Sequence, residues 1–137
     1  MHDVTQDARR DGQAADSQAV SDERRSLYAE ISREMVRIYK EQFGRGPTKA
    51  KTSFADPDTI ISTLENSLTP AERNMVALGE HQKLRDIRQF FQHATEATFC
   101  DSIERLTGRK VRAFVSGIDT TQDVSSEVFY LEPRDPS

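Results

Sequence analysis

The stretch FGRGPTKAK, residues 43–51, marks where the first helical pattern of the chain ends and the first strand pattern begins. Gly44 stands where a helix C-terminal glycine belongs, and Pro47 prevents the helix from continuing. A nucleotide-binding P-loop has a strand before its glycines and a helix after them. Because the order is reversed here, the stretch is not a phosphate cradle of that type. It predicts a helix-to-strand junction.

A strand with one polar face follows this junction. Its side chains alternate between small or apolar and polar types from residue 48 to residue 55, which is the period of an extended strand. The two sets are Ala50, Thr52 and Phe54 on one face, and Lys49, Lys51 and Ser53 on the other. After a turn at residues 55–58, residues 59–66 predict the returning strand of a β-hairpin.

An amphipathic helix is predicted before the junction, starting with Ser21 as its N-cap. Its apolar positions recur every three or four residues, at Leu27, Ile31, Met35, Ile38 and Phe43. Residues 1–20 contain two valines and no aromatic residue, too little apolar surface to offset the entropy of ordering. We therefore predict a disordered tail over residues 1–20.

The clearest local pattern is LTPAE, residues 68–72, in which Thr69, Pro70 and Glu72 form a capping box at a helix N-terminus. The helical pattern continues through Met75, Leu78, Leu84, Ile87, Phe91, Ala94, Ile103 and Leu106. An unbroken helix of this length would span about 55 Å, too long for one small domain. We therefore predict a break at Gly79, a short helix and then a long one, which ends at residues 107–108.

Two more strands complete the domain, at residues 110–119 and 125–133. Val111, Ala113 and Val115 are predicted on one face of the third strand. In the fourth strand, Val128 and Tyr130 are predicted on one face, and Phe129 and Leu131 on the other. The order α-β-β-α-β-β predicts an α+β fold, an antiparallel four-stranded sheet with helices packed on one face. Residues 21–132 form this single domain, and residues 133–137 are a frayed terminus.

Composition narrows the class of function. The chain has 137 residues and a formal net charge of −4, which disfavours nucleic-acid binding. No apolar run is long enough for membrane insertion, and no signal peptide is recognisable, so we expect a cytoplasmic location. The single cysteine, Cys100, excludes an intrachain disulfide and is predicted to be a small buried residue.

Five cations form a candidate anion-binding set near the edge of the sheet. Three follow the first helix and two lie on the long helix: Arg45, Lys49, Lys51, Arg85 and Arg88. The alternative interpretation is a basic strand whose charges are simply solvated.

We find no pattern for catalysis, metal binding or a cofactor. His81 and His93 are twelve positions apart, not at the i, i+4 spacing that places two imidazoles on one metal. No nucleophile motif assigns a catalytic base. Phe90 and Phe91 are adjacent and cannot share one helix face. We expect one of them in the core and the other over the sheet or on a partner chain, and we predict a homodimer.

The segments GRGPTKAK, LTPAERN and TGRKVRAFVSGID make the chain similar to the MpsC-like family, and the likeness covers about residues 24–132. The residues that carry it are Gly44, Gly46, Pro47, Leu68, Thr69, Glu72, Arg88 and residues 108–111. The resemblance implies a small non-enzymatic accessory protein whose partners are subunits of a membrane system for ion or inorganic-carbon uptake. It supplies no catalytic residues. The alternative function is a sensor of small anions or nucleotides.

Overall fold

The computed structural model describes the backbone of residues 4–134, and the side chains of Gln18, Ala19 and residues 21–134. Over this part of the chain the order is α-β-β-α-α-α-β-β, an α+β fold as predicted. The elements are α1 Val4–Phe43, β1 Lys49–Asp56, β2 Thr59–Glu65, α2 Pro70–Ala77, α3 His81–Ala94, α4 Glu96–Thr107, β3 Val111–Asp119 and β4 Val124–Leu131.

Helix α1 begins at Val4, so the prediction that it begins at Ser21 is wrong. Residues 4–20, for which we predicted a disordered tail, continue this helix. Gln18 and Ala19 are exposed. From residue 27 onward the predicted apolar stripe packs on the sheet and is buried at Ile31, Met35 and Ile38.

Helix α2 begins at the predicted capping box. The Glu72 amide donates to Thr69 Oγ1 at 3.2 Å, and the Thr69 amide donates to Glu72 Oε1 at 2.9 Å. The predicted break follows, with Gly79 at a φ of +77° in the left-handed region that glycine favours. Both features are confirmed.

A second break at Thr95, which we did not predict, divides the long helix into α3 and α4. The Thr95 hydroxyl donates to the Phe91 carbonyl at 2.8 Å and accepts a hydrogen bond from Gln42 of α1. These bonds compete with continued helix geometry. The break lets α4 turn onto the core, where Phe99 and Ile103 are fully buried.

The sheet has the order β1-β2-β4-β3, and each neighbouring pair is antiparallel. Strands β2 and β4 therefore form the centre, and β1 and β3 are the edges. Helices α1, α3 and α4 all contact the sheet, and the core of buried apolar side chains lies between them and one sheet face. Among the described residues, none of the helices has both the length and the apolar composition needed to cross a membrane.

Strand β4 has the predicted faces, with Phe129 and Leu131 buried. In β3 the prediction is wrong, because a register irregularity between Val111 and Ala113 shifts the alternation. Val111 packs against the core together with Phe114, whereas Val115 faces out with 54% of its surface exposed. An irregularity of one residue moves the side chains that follow to the opposite face.

Candidate functional site

The inner face of the sheet carries one row of polar side chains among apolar ones. In an antiparallel sheet, residues paired across neighbouring strands lie side by side and form rows. One inner row is apolar throughout and consists of Phe54, Ile60, Phe129 and Phe114. The row beside it, here called the polar row, consists of Thr52, Ser62, Glu127 and Ser116.

The β1 end of the polar row is a chain of hydroxyl groups. Ser32 Oγ of α1 lies 2.8 Å from Thr52 Oγ1, which lies 2.8 Å from Ser62 Oγ. Each hydroxyl can both donate and accept, so Thr52 bridges Ser32 and Ser62. Helix α1 is thus fixed to the outer strand by directional contacts as well as by apolar burial.

Glu127, at the centre of the row, is a fully buried carboxyl group. Tyr39 Oη donates to Glu127 Oε1 at 2.5 Å, and Gln92 Nε2 donates to the same oxygen at 2.7 Å and to Tyr39 Oη at 3.1 Å. Burial raises the pKa of Glu127 to about 7, although the hydrogen bonds from Tyr39, Ser116 and Gln92 oppose the rise. Burial also raises the pKa of Tyr39, so its hydroxyl stays protonated and donates.

A small cleft adjoins the other end of the polar row, between α3 and β3. Its volume is about 160 Å³, and Gln92, Phe114 and Ser116 are among its lining residues. Within the described part of the chain, Gln92 Oε1 is buried at this end without a hydrogen-bond partner, whereas the Ser116 hydroxyl lies against the Glu127 carboxyl and acts to lower its pKa. Unpaired buried polar atoms are rare in folded proteins, because each loses its bonds to water without replacement.

Arg88 is the charged residue among the buried residues of α3, and only 2% of its surface is exposed. Its Nε and Nη2 donate to the two carboxylate oxygens of Glu72, both at 2.6 Å, and Nη2 also donates to the Ser67 carbonyl at 3.1 Å. The guanidinium lies 3.7 Å from the centre of the Phe43 ring. Burial alone would raise the pKa of Glu72, but the Arg88 guanidinium holds it below its usual value.

Three large apolar side chains of α3 are exposed. Phe90 is 69% exposed, Ile87 45% and Phe91 40%, so the expectation that one phenylalanine enters the core is wrong. The inner positions that they would have filled are taken by Arg88 and Gln92, whose partners lie on α1, α2 and β4. Phe91 reaches only the rim of the core, where its ring packs edge-on against Phe43.

The five cations of the predicted anion site are spread over three parts of the molecule. Lys49 and Lys51 are exposed on edge strand β1, and Arg85 is exposed on α3. Arg45 donates to the Leu68 carbonyl at 2.7 Å, and Arg88 is paired with Glu72 in the interior. Two of the five, Arg45 and Arg88, therefore make contacts that hold the fold together, and anion binding by this set stays a prediction.

The residues that carry the family resemblance mostly stabilise the connections between helices and strands. A Cβ on Gly46 would lie 3.1 Å from Val36 Cγ1, so glycine allows the chain after α1 to cross close over that helix. Arg109 donates to the Pro57 carbonyl at 2.6 Å, to Asp58 Oδ1 at 2.5 Å and to the Glu132 carbonyl at 3.0 Å. This side chain ties the β1–β2 turn to the end of β4.

Sequence reasoning did not identify Glu127, although its signal was present. The alternation that correctly places Phe129 and Leu131 inward also places Glu127 inward, and a carboxyl at an inward strand position needs partners. Those partners, Tyr39 and Gln92, are distant in sequence and carry no local pattern. The described residues contain no group of three or more His, Cys, Asp or Glu side chains arranged to hold a metal ion.

The family described as "Na+-translocating membrane potential-generating system (MpsC)" matches residues 23–133. The chain belongs to the MpsC family. It is 31% identical over 109 residues to a protein of Bacillus subtilis strain 168 described as uncharacterized protein YbcI, with 77% of this chain and 86% of that protein covered. No solved structure matches the chain. The match includes Glu72, Arg88 and Glu127, so the site described above lies wholly inside the MpsC domain.

Proposed function

We propose that this MpsC domain is a non-enzymatic accessory protein that acts by protein association, with the outer side of α3 as the contact surface. The observation that carries the proposal is the exposure of three large apolar side chains on a single helix, Ile87, Phe90 and Phe91. Clustered exposed aromatic and aliphatic side chains are typical of protein interfaces, where Phe is enriched at the buried centre. The family description suggests a membrane ion-translocating system as the setting.

The spacing along α3 favours pairing with another helix. Lys83, Ile87, Phe90 and Ala94, here called the α3 stripe, are separated by four, three and four positions, and all four are exposed. This is the spacing at which two helices interlock along a narrow seam. The inner residues of α3 lie on the opposite side, so the stripe can be covered without disturbing the domain.

We infer that a second copy of the chain covers the stripe, with the two α3 helices antiparallel. Ile87 of each copy then packs on Phe90 of the other. Lys83, at the N-terminal end of the stripe, approaches Glu96, which follows its C-terminal end. Within one chain Lys83 Nζ lies 3.7 Å from Glu80 Oε2 in an exposed pair, a weak contact that is easily exchanged for another.

Sedimentation equilibrium over a concentration series tests the inference with wild-type chain, Phe90→Ser and Val115→Thr. Val115 is the matched control, because it is an exposed apolar residue outside the stripe. We expect the wild type to form a dimer. Phe90→Ser should dimerise at least tenfold more weakly, which is the effect of truncating a residue at the centre of an interface. Val115→Thr should match the wild type. A monomeric wild type, or equal association of all three, contradicts the homodimer.

The setting in a membrane system needs a separate experiment. The wild type and Phe90→Ser are each used as bait for co-purification from native membranes. We expect transport components to be recovered with the wild type. If no ion- or carbon-transport component associates with either protein, the accessory role is contradicted. If a component associates through Phe90 while the pure chain stays monomeric, the stripe is covered by that component and the second-copy inference is wrong.

A further inference from the structure

A groove lies between helix α1 and edge strand β1. The helix runs antiparallel to the strand above it, since the Tyr28 ring packs on Phe54 and the Ser32 hydroxyl is hydrogen-bonded to that of Thr52. The groove has a volume of about 500 Å³, and its lining residues are Ser32, Arg33, Val36, Arg37, Lys40 and Ala50. None of them belongs to α3, so the groove is a surface separate from the α3 stripe.

Strand β1 can accept another strand along this groove. Within the described sheet, β1 pairs with β2 on one side and with no strand on the other. The open side of an edge strand presents N–H and C=O groups that can pair with an extended segment. Successive side chains of that segment point to opposite faces of the sheet. On one face they would enter the groove beside Ala50, and on the other they would lie beside Lys49 and Lys51.

Five cations line the two faces of this edge. All are exposed, three on α1 and two on β1: Arg33, Arg37, Lys40, Lys49 and Lys51. Arg37 forms ion pairs with Glu34 and Glu41, and the other four have no ion pair within the described part of the chain. Glu65 of β2 lies beside Lys49 and offsets part of this charge. The edge remains basic in a chain whose formal net charge is −4, so it is complementary to a negatively charged segment.

We propose that β1 binds an extended acidic segment of a partner protein as an added strand. Carboxylates at alternate positions of the segment lie beside Lys49 and Lys51. The apolar side chain between them enters the groove and packs on Val36 and Ala50, which are both half-buried. In this mode of recognition the main-chain hydrogen bonds supply affinity, and the pockets for alternate side chains supply specificity.

A second copy of the chain does not fit this edge. Antiparallel pairing of two β1 strands centred near Ala50 would place Lys49 and Lys51 of one copy beside those of the other. Like charges directly opposite one another on neighbouring strands are destabilising. Lysines on an edge strand therefore oppose self-association, and the same charges attract an acidic strand.

Fluorescence anisotropy of dye-labelled peptides titrated with the full chain tests the proposal. The acidic peptide alternates glutamate and valine over seven residues. One control has lysine in place of glutamate, and the other has a central proline, which removes a backbone donor and prevents strand pairing. We expect saturable binding of the acidic peptide and at least tenfold weaker binding of both controls. No saturable binding of the acidic peptide, or equal binding of the proline peptide, overturns the proposal.

Charge reversal locates the binding edge. Lys49→Glu with Lys51→Glu should weaken binding of the acidic peptide at least tenfold and should bind the lysine peptide instead. The matched control is Lys110→Glu with Arg112→Glu, which changes the net charge equally at exposed positions of the other sheet edge and should match the wild type. Retained binding in the β1 variant, or an equal loss in both variants, overturns the proposal. Phe90→Ser should bind the acidic peptide normally, so this result is independent of the stripe.

Discussion

Helices α1 and α3 lie on the same side of the sheet but face it in opposite ways. Helix α1 buries Ile31, Met35 and Ile38, as an amphipathic helix in a small domain normally does. Helix α3 buries Arg88 and Gln92 beside Leu84, and exposes Phe90 and its apolar neighbours. Both helices make polar and apolar contacts, but apolar burial dominates for α1 and polar contacts dominate for α3.

The difference affects how each helix can move. Apolar burial is non-directional and roughly proportional to area, so α1 keeps its stabilisation through small displacements. The contacts of Arg88 and Gln92 have fixed geometry and lose strength steeply when distance or angle changes. Helix α3 is therefore positioned specifically but can be released when one polar contact is changed. We expect α1 to be the fixed support of the domain and α3 its adjustable part.

The largest effect should come from the apolar side. Met35→Ala deletes most of a fully buried side chain of α1 and should lower the free energy of unfolding by about 2–5 kcal/mol, through lost burial and the cavity left behind. Urea denaturation followed by circular dichroism measures the loss. The volume-conserving control Met35→Leu should lose less than about 1.5 kcal/mol. Equal losses for both would contradict the apolar account of α1.

Arg88→Met should have the next largest effect, because it leaves the Glu72 carboxylate without its partner. Removing one member of a buried ion pair typically costs about 3–5 kcal/mol, and we expect about 2–3 kcal/mol because Glu72 retains some exposure. The double variant Glu72→Gln with Arg88→Met should recover part of the loss. If the single variant is as stable as the wild type, the polar attachment of α3 is wrong.

Glu127→Gln should change how stability depends on pH. The folded chain holds a proton on Glu127 up to about pH 7, whereas the unfolded carboxyl releases it near 4.5. Wild-type stability should therefore fall as the pH rises from about 4.5 to 7, by on the order of 3 kcal/mol, and stay level above that. Glu127→Gln has no such group, so its stability relative to wild type should rise over the same window. Parallel urea curves at pH 5, 6, 7 and 8 measure this, and a constant difference would refute it.

The smallest effect should come from the exposed side of α3. Phe90→Ser should change the stability of the dilute monomer by no more than about 0.5 kcal/mol, because the ring makes few contacts within the domain. Thermal unfolding at concentrations below the dimer range provides the measurement. A loss as large as that of Met35→Ala would place Phe90 in the core and remove the contrast between the two helices.

Local patterns were sufficient to predict most of the fold. The capping box at Thr69 and Glu72, the break at Gly79 and the β4 alternation all depend on neighbouring residues, and each was confirmed. Helix α3 was misjudged because the periodicity of Ile87 and Phe91 shows that a helix has an apolar side, not that this side is inward. Its orientation is set by Glu72, Tyr39 and Glu127, which come from three other elements.

The arrangement of the sheet also constrains when the domain can form during synthesis. Strand β4 is the last strand along the chain, yet it lies at the centre of the sheet between β2 and β3. In the earlier hairpin of β1 and β2, the β2 edge therefore stays unpaired until residue 131 has left the ribosome. An exposed strand edge is prone to pair with other chains. A nascent chain that stalls before β4 should consequently depend on chaperones more than one that stalls after it.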